Sequence, residues 1–188
     1  MTSRYINYLP ALTSDNASPV QQEVLEAVKR DTGFIPNMYA NMVHVPGVLN
    51  TYLHGYRSFR KDSGFTPAEQ EIVFLAISKI NGCKYCTAAH SMIADKMSGV
   101  PHDTLQEIRS DNPISNEKFR ALFALTQDLV KNLGQASQAK VQDFLNAGYS
   151  ETQILNIILA ISVKVLSNYT NHAFATELDD RFSAYKID

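Results

Sequence analysis

A helix-starting signal followed by an almost wholly apolar run occupies residues 66–80. Thr66-Pro67-Ala68-Glu69 has the pattern of a capping box with proline at the first helical position. The run behind it is apolar nearly all round, which is typical of a helix buried on every side. No segment alternates apolar and polar residues as a half-buried strand would. We therefore predict an all-α fold, a bundle of about eight to ten helices, with this helix at its centre.

Further start and stop signals divide the rest of the chain. Asn81-Gly82 interrupts the central apolar segment, so a new helix is predicted to start at the cysteines that follow. Ser150 is placed to cap a helix whose apolar run extends over 154–165. The polar cluster at 168–172 then predicts the start of a separate last helix, over about 168–184.

Length and composition set the class of protein. With 188 residues, 45% of them hydrophobic, residues 1–188 are expected to form a single helical domain. The net charge is -2 and Lys and Arg do not cluster, so the sequence shows no electrostatic footprint for nucleic acid. No apolar run reaches the roughly 18 residues of a membrane span, and the start of the chain lacks the apolar core of a secretion signal. We expect a cytoplasmic protein with neither membrane nor nucleic acid as a partner.

Two stretches of the chain, 64–89 and 148–173, resemble each other at a constant offset. Gly64-Phe65-Thr66 corresponds to Gly148-Tyr149-Ser150, and Leu75-Ala76-Ile77-Ser78 corresponds to Leu159-Ala160-Ile161-Ser162. The match predicts two similar helical units, near 64–98 and 148–184. Chance similarity between short helical segments is the alternative. In either case both cysteines lie in the first stretch, so the second lacks thiol chemistry.

The two cysteines of the chain, Cys83 and Cys86, stand three residues apart, and His90 follows. On the first turn of a helix the cysteines share a face, with Cα atoms about 5–6 Å apart, which is within disulfide range. A helix N-terminus favours a thiolate. His90 comes one turn after Cys86, where its ring could reach the sulfur and accept the thiol proton. The pattern predicts a redox-active dithiol.

Glu71 is the carboxylate embedded in the central apolar run, where an unpaired charge would be costly. If the helices on either side of Asn81-Gly82 pack antiparallel, Glu71 folds back toward His90. A carboxylate there would orient the ring and raise its basicity. We therefore predict a catalytic site made of Cys86, Cys83, His90 and Glu71.

Other interpretations of these residues stay open. The cysteine pair could bind zinc, with further ligands from Glu71 or a histidine, or the thiols could be inert buried residues. Tyr85 could donate a hydrogen bond near the site or simply pack. His172, in the polar cluster at 168–172, could line a pocket or an interface, although a capping or packing role is commoner for such a residue.

A glutamate, a C-x-x-C pair and a histidine at this spacing resemble the carboxymuconolactone decarboxylase / AhpD-like alkylhydroperoxidase family. The likeness is strongest over residues 65–98. Gly33-Phe34-Ile35-Pro36-Asn37 upstream and Asn171-His172 downstream are similar to the branch of that family known as peroxidase-related, so the resemblance extends over most of the chain.

The resemblance implies an all-helical fold that assembles as homo-oligomers, trimers or hexamers. It implies a peroxiredoxin-type oxidoreductase of antioxidant defence, which takes a peroxide substrate and a thiol or disulfide reductant and needs no cofactor or metal. Cys86 would be the attacking thiolate and would pass through a sulfenic acid or a mixed disulfide. Cys83 would resolve it as a Cys83–Cys86 disulfide. His90 and Glu71 would form the proton relay.

The chain departs from the family pattern in two respects. The best-known AhpD proteins have a histidine just before the second cysteine, where this chain has Tyr85, so one proton carrier is missing. The decarboxylase branch lacks the cysteine pair, so decarboxylation is not expected here. A non-redox enzyme in which Glu71 and His90 act as acid and base on a lactone or carboxylate is the remaining alternative.

Overall fold

The computed structural model describes residues 4–187, so residues 1–3 and 188 of the predicted domain lie outside it. Over the described range it contains nine α-helices, one 3-10 helix and no β-strand. The predicted all-α class and number of helices are confirmed. The helices are α1 (Pro19–Thr32), α2 (Asn37–Met42), α3 (Pro46–Asp62), α4 (Pro67–Ile80), α5 (Lys84–Lys96), α6 (His102–Arg109), α7 (Glu117–Lys131), α8 (Gln138–Asn146), α9 (Glu151–Phe174) and the 3-10 helix (Asp180–Tyr185).

Capping boxes fix the starts of the two most apolar helices. Before α4, the Thr66 hydroxyl accepts a hydrogen bond from the Glu69 N–H, and the Glu69 carboxylate accepts one from the Thr66 N–H. Before α9, Ser150 and Gln153 make the same reciprocal pair. Each box satisfies two N–H groups that would otherwise have no partner within the helix, which is why both starts could be predicted locally.

The helix α4 is the central helix, as its composition predicts. Every side chain from Glu69 to Ser78 is buried, and the helix packs against α5, α7 and α9. Burying one aliphatic or aromatic side chain contributes about 1.5–3 kcal/mol. With six consecutive apolar residues fully buried, from Ile72 to Ile77, α4 is a main source of the stability of the bundle.

The buried apolar residues form two clusters. One surrounds α4 and α7, and the other joins α1, α2 and α3 to α5 and contains both cysteines. Tyr56 of α3 and Leu159 of α9 pack against both clusters. The cysteines therefore lie in a second core, next to the one that α4 organises.

Helices α3 and α9 approach each other closely at Gly55. A Cβ atom at Gly55 would lie 2.7 Å from Val163 Cγ2, which is closer than van der Waals contact allows. The missing side chain therefore sets the distance between α3 and the part of α9 that faces the cysteines.

The end of α9 differs from its prediction. The sequence predicted a separate helix over about 168–184, but α9 is one helix of 24 residues, and only the 3-10 helix follows it. The prediction was wrong because the polar cluster contains no helix-breaking residue. Asn168 and Asn171 are buried on the inner side of the same helix.

The length and hydropathy of α9 also match a membrane span, which was not expected from the sequence. Its most apolar window has a mean hydropathy of 1.2, and 33% of that window is buried inside the structure. Core helices pass the same test. Because α9 packs against α2, α3 and α4 and carries the fully buried Lys164, we interpret it as a core helix.

The two predicted repeat units begin alike in three dimensions. Gly64 and Gly148 precede the capping boxes of α4 and α9 with φ angles of 73 and 90. The units then diverge, because α4 ends at Ile80 whereas α9 continues through the corresponding positions. The repeat stays a prediction, but its two halves are placed differently around the cysteines.

Candidate active site

The break between α4 and α5 places both cysteines at the start of a helix. Gly82 has a φ of 66, in the left-handed region that favours glycine, and Cys83 is the N-cap of α5. The Cys86 N–H donates to Cys83 Sγ over 3.5 Å. Asn81 Nδ2 donates to Asn168 Oδ1 over 2.9 Å, which ties the break to α9. The cysteines thus lie on the first helical turn, as predicted.

Both cysteines are free, buried thiols that face α9. Asn171 Nδ2 lies 3.2 Å from Cys86 Sγ and 3.6 Å from Cys83 Sγ, and donates to both. Ser167 Oγ lies 3.9 Å from Cys86 Sγ. Amide donors beside a sulfur stabilise its charged form. Helix α9 therefore supplies, through Asn171, a hydrogen-bond donor to both thiols.

Three buried polar side chains, Glu71, His90 and Lys164, form a continuous line beside the thiols. Glu71 Oε2 lies 2.8 Å from His90 Nδ1, and Lys164 Nζ lies 2.9 Å from His90 Nε2. Arg60 of α3 forms an ion pair with Glu71 Oε1. The predicted antiparallel packing of α4 and α5 does bring Glu71 to His90, and α9 adds the lysine.

These contacts fix the protonation of His90. An ammonium group has no acceptor, so Nε2 must accept a hydrogen bond from Lys164, and Nδ1 then donates one to Glu71. Burial and the charge of Lys164 lower the pKa of His90 and outweigh the opposite effect of Glu71. The imidazole is therefore neutral and is oriented by the carboxylate.

The charges of this line balance only if one more anion is present. Burial raises the pKa of Glu71, but His90 and Arg60 outweigh it and hold that pKa below its ordinary value, so Glu71 is a carboxylate. Arg60 already neutralises it. Within residues 4–187, Lys164 forms no ion pair with a carboxylate. A thiolate at Cys86 is the group that balances this buried cation.

The two thiols differ in acidity. Burial alone would raise the pKa of Cys86, but the hydrogen bond from Cys83 and the charge of Lys164 outweigh it and hold that pKa well below its ordinary value. The hydrogen bond to Cys86, together with burial, raises the pKa of Cys83. This difference in pKa favours ionisation of Cys86 over ionisation of Cys83.

A cavity of about 370 Å³ leads to Cys86, and His90 and Lys164 also line it. Six aromatic residues contribute to its wall: Phe34, Tyr39, Tyr52, Tyr56, Tyr85 and Phe182. Burial raises the pKa of the three tyrosines of α2 and α3, so their hydroxyls stay neutral. The cavity, called the aromatic cavity below, therefore offers a largely apolar approach to Cys86, and its volume suits a small organic molecule.

The structure shows the surroundings of Tyr85 and His172, whose roles the sequence left open. The Tyr85 hydroxyl donates to Asp179, whose carboxylate also accepts from the Asn37 N–H over 3.1 Å. Tyr85 thus bonds to the C-terminal segment and not to the thiols. His172 lines a second cavity, of about 390 Å³, together with Cys83. The pocket interpretation of His172 is the one the structure supports.

The position of His90 differs from its prediction. The ring was expected at the Cys86 sulfur, but its two nitrogens face Glu71 and Lys164, and no hydrogen bond joins it to Cys86 in the described part of the chain. The ring also stacks on Phe74, with centroids 4.7 Å apart. Packing and the Glu71 contact together turn the imidazole toward α9, so Lys164 connects it to the thiols.

Three site residues were missed from the sequence: Arg60, Lys164 and Asn171. Lys164 shows the same sequence signal by which Glu71 was identified, because it too is a single charge inside an apolar run. Asn171 was only part of a polar cluster. Arg60 gave no local signal, since its contact with Glu71 depends on how α3 packs against α4.

The residues do not present a metal site. No group of three or more His, Cys, Asp or Glu side chains in the described residues is arranged to hold a metal ion. Both nitrogens of His90 are engaged by Glu71 and Lys164, so His90 is not free to join Cys83 and Cys86 as a zinc ligand.

Comparison with protein families supports the resemblance seen in the sequence. The family model "CMD: Carboxymuconolactone decarboxylase family" matches residues 46–128, from the start of α3 into α7. The match includes both cysteines and stops before Lys164 and Asn171. A search of curated protein sequences gave no match.

Solved structures share the fold over nearly the whole chain. An alkylhydroperoxidase AhpD core, a peroxidase-related protein from Ralstonia eutropha JMP134, superposes with a TM-score of 0.80, at 20% identity and with 96% of each chain covered. A peroxidase-related protein from Silicibacter sp. TM1040 gives 0.74, at 19% identity, covering 94% of this chain and 95% of that one. An alanine variant of the debrominase Bmp8, in complex with 2,3,4-tribromopyrrole, gives 0.77, at 17% identity and 97% coverage of both.

These findings define the class of protein. The chain has the all-helical AhpD-like fold, and its resemblance to the carboxymuconolactone decarboxylase / AhpD-like family, including peroxidase-related proteins, is confirmed.

Proposed function

We propose that the protein is a thiol-dependent peroxidase or disulfide reductase in which Cys86 attacks and Cys83 resolves. The observation that carries the proposal is the buried Cys86 thiol, which is held between Asn171 of α9 and the Glu71–His90–Lys164 line at the end of an apolar cavity. A thiolate that is stabilised by its surroundings and open to a cavity is suited to nucleophilic attack.

The chemistry balances with the groups present. The Cys86 thiolate attacks the terminal oxygen of a hydroperoxide, the O–O bond breaks, and Cys86 becomes a sulfenic acid. The leaving alkoxide takes a proton from Lys164, which His90 and Glu71 hold in place. Cys83 then attacks the Cys86 sulfur, and the hydroxyl group leaves as water with the Cys83 proton. One hydroperoxide and two thiols give one alcohol, one water and one disulfide.

The partners of this reaction are a peroxide and a thiol reductant that reopens the disulfide. The line formed by Glu71, His90 and Lys164 gives the proposed mechanism a proton donor, although no histidine precedes the second cysteine. Lys164 occupies the space beside His90 and supplies the proton that such a histidine would carry. Tyr85, with its hydroxyl engaged by Asp179, is a wall of the cavity in this mechanism and transfers no proton.

The test is a thiol titration with and without hydrogen peroxide or cumene hydroperoxide. Wild-type protein should lose both thiols, and dithiothreitol should restore them. The Cys83→Ser variant should stop at a sulfenic acid on Cys86, which dimedone would trap. The Cys86→Ser variant should keep its remaining thiol and give no dimedone adduct. Peroxide consumption by Cys86→Ser at the wild-type rate would overturn the proposal.

Two further measurements separate the proposed function from the two alternatives. Stoichiometric zinc in the purified protein would favour a metal-binding role. Turnover of a lactone by a Cys83→Ser, Cys86→Ser double variant would favour non-redox chemistry by Glu71 and His90, which do contact each other. Neither outcome is expected, because Lys164 engages the remaining nitrogen of His90.

A second candidate function follows from the aromatic cavity and from the fold shared with Bmp8 in complex with a brominated pyrrole. Reductive removal of bromine from an aromatic ring would use the same dithiol. One aryl bromide and two thiols would give the unsubstituted ring position, one bromide ion, one proton and one disulfide. Bromide release from tribromopyrrole with dithiothreitol, lost in Cys86→Ser, would support this function over peroxide reduction if peroxide leaves the thiols intact.

The proposal includes a homo-oligomer, trimer or hexamer, in the cytoplasm. Leu155 and Ile158, one turn apart on α9, are 67% and 43% exposed, and apolar side chains exposed together favour a contact with another chain. Light scattering after size-exclusion chromatography would give the mass. A monomer at micromolar concentration would contradict this part of the proposal.

A further inference from the structure

Each cysteine lines a different cavity. Cys86 lines the aromatic cavity, whereas Cys83 lines the second cavity, together with Gly82, Lys84, Asn171, His172 and Thr176. Among residues 4–187, Tyr85 alone lines both cavities. Its hydroxyl is bonded to Asp179, which holds the ring as a partition between them. The two sulfurs of the dithiol are thus approached from separate spaces.

The second cavity carries polar atoms that the peroxidase chemistry does not use. Asn171 is only 4% exposed, and its Oδ1 atom has no hydrogen-bond partner. His172 Nε2 is also buried without a partner. Buried polar atoms without partners cost free energy. Asn171 and His172 both line this cavity with Cys83, so a ligand with a donor group would offer these two atoms a partner.

We propose that a low-molecular-weight thiol reduces the Cys83–Cys86 disulfide through the second cavity by attacking Cys83 Sγ, while the oxidant reaches Cys86 through the aromatic cavity. This rests on the proposed function in one respect, that the disulfide is the oxidised state. A small thiol fits because Cys83 is only 1% exposed, out of reach of a cysteine on a protein surface. A volume of about 390 Å³ is within the range of small-molecule sites.

The exchange proceeds in two balanced steps. A thiol enters the cavity, loses its proton to His172, and attacks Cys83 Sγ. A bond forms between the two sulfurs, the Cys83–Cys86 bond breaks, and its electron pair stays on Cys86. A second thiol attacks the sulfur of the first, forms the small-molecule disulfide, and releases Cys83, which takes up the second proton. The proton on His172 returns to Lys164 through solvent. Two thiols thus yield one disulfide and the reduced dithiol.

The direction of attack agrees with the acidity of the leaving group. In thiol–disulfide exchange, the sulfur whose thiol has the lower pKa leaves faster. Attack on Cys83 expels Cys86, whose pKa is held low despite its burial by Cys83 and Lys164. Attack on Cys86 would expel Cys83, whose pKa is raised. The same asymmetry that makes Cys86 the nucleophile makes Cys83 the site of reduction.

The sequence allows the site of attack to be read directly. Lys84 lies between the cysteines, so trypsin separates Cys83, in Ile80–Lys84, from Cys86, in Tyr85–Lys96. The disulfide is formed with diamide, which makes the test independent of peroxide. The probe is excess glutathione, quenched after seconds with N-ethylmaleimide. We expect glutathione on Ile80–Lys84 and maleimide on Tyr85–Lys96. The reverse distribution, or failure of diamide to form the disulfide, would overturn the proposal.

Two variants with bulkier side chains test the separate routes. Lys84 lines only the second cavity and Met97 only the aromatic one, and both side chains are exposed, so replacement is compatible with folding. Lys84→Trp should slow reduction by glutathione about tenfold and leave oxidation by cumene hydroperoxide unchanged. Met97→Trp should slow that oxidation and leave reduction unchanged. Equal effects of Lys84→Trp on both half-reactions would overturn the two-route proposal, whereas inertness toward peroxide alone would overturn only the peroxidase function.

Discussion

Helices α4 and α9 start with the same sequence signals, but α4 together with α5 forms one side of the site and α9 forms the other. Both start with a glycine of positive φ and a capping box. The first then breaks at Gly82 and starts a new helix at Cys83, whereas the second continues for 24 residues. The break creates a helix N-terminus for the thiols. The unbroken helix presents Lys164, one turn from Ser167 and two turns from Asn171, toward them.

The polar residues of the two units are complementary in charge as well as in position. The first unit contributes a buried carboxylate, Glu71, where the register places Leu155 in the second, 67% exposed. The second contributes the buried cation Lys164, where the register places Ile80 in the first. The comparison shows that two similar apolar helices place opposite charges at different positions of the register. Four tests, which use five substitutions, follow in order of decreasing expected effect.

The replacement Glu71→Leu gives α4 the residue of the corresponding position in α9. It removes the partner of Arg60 and His90 and leaves buried charge uncompensated, so we expect a loss of about 3–5 kcal/mol in the free energy of unfolding at neutral pH. Urea unfolding measures it. Glu117→Leu, at a side chain that is 91% exposed, is the control and should stay within about 0.5 kcal/mol of wild type.

The pH dependence of that loss has a defined sign. Burial raises the pKa of Glu71, but His90 and Arg60 bring it below its ordinary value, so the carboxylate stabilises the fold above the unfolded pKa. This stabilisation is lost as the pH falls through the folded pKa. The difference between wild type and Glu71→Leu should therefore be full at about pH 7 and smaller below about pH 4. A difference that grows on acidification would contradict the ion-pair description.

The replacement Lys164→Met removes the cation of the second unit while keeping an apolar stem. Without it the pKa of Cys86 should rise by about 1–2 units, and alkylation of Cys86 by iodoacetamide at neutral pH should slow about 10- to 100-fold. The rate should recover at high pH. The exposed Lys131 provides the control, since Lys131→Met should leave the pH profile unchanged. An unshifted profile in Lys164→Met would show that α9 does not set the acidity of the thiol.

The replacement Gly82→Ala tests the break itself. Alanine at a φ of 66 is strained by about 1–2 kcal/mol, so the free energy of unfolding should fall by that amount. Gly47, in the first turn of α3, also has open space where its Cβ would be but lacks a positive φ. Gly47→Ala should be neutral or stabilising by up to about 1 kcal/mol. Equal effects at the two glycines would contradict a conformational role for Gly82.

The replacements Asn171→Ala and Ser167→Ala compare two polar neighbours of Cys86 on one face of α9, of which Asn171 is the donor. Asn171 Nδ2 is 3.2 Å from Cys86 Sγ, whereas Ser167 Oγ is 3.9 Å away. Loss of the Asn171 donor should raise the pKa of Cys86 by up to about one unit, and loss of Ser167 should change it by less. The pH profile of Cys86 alkylation, read on the tryptic peptide, measures both. A larger shift in Ser167→Ala would show that Asn171 is not the main group that stabilises the Cys86 thiolate.

The fold could be predicted to the extent that local signals decide it. Thr66 and Ser150 mark helix starts through bonds made within one turn, and Gly82 ends a helix through its own backbone angle. The end of α9 could not be predicted this way. Asn168 and Asn171 look like surface residues in the sequence, but they are buried against polar groups of Asn81, at the end of α4, and Cys86, in α5.

The site was predictable where its parts are close in sequence. Cys83, Cys86 and His90 share one helix, and Glu71 was identified from its apolar surroundings. Arg60 and Lys164 come from helices whose approach is decided by packing, which a single sequence does not encode locally. Lys164 nevertheless stood out by the same criterion as Glu71, so a charge in an apolar run is a signal to be read at every occurrence.

Gly55 affects the site through the spacing between α3 and α9 and not through a reactive group of its own. A methyl group there would lie 2.7 Å from Cγ2 of Val163, the residue before Lys164, so either the Val163 side chain or α9 must shift. If α9 shifts, Lys164, Ser167 and Asn171 move with it away from a dithiol whose own sequence is unchanged. A glycine without a side chain thus contributes to the alignment of the reactive groups although it is not one of them.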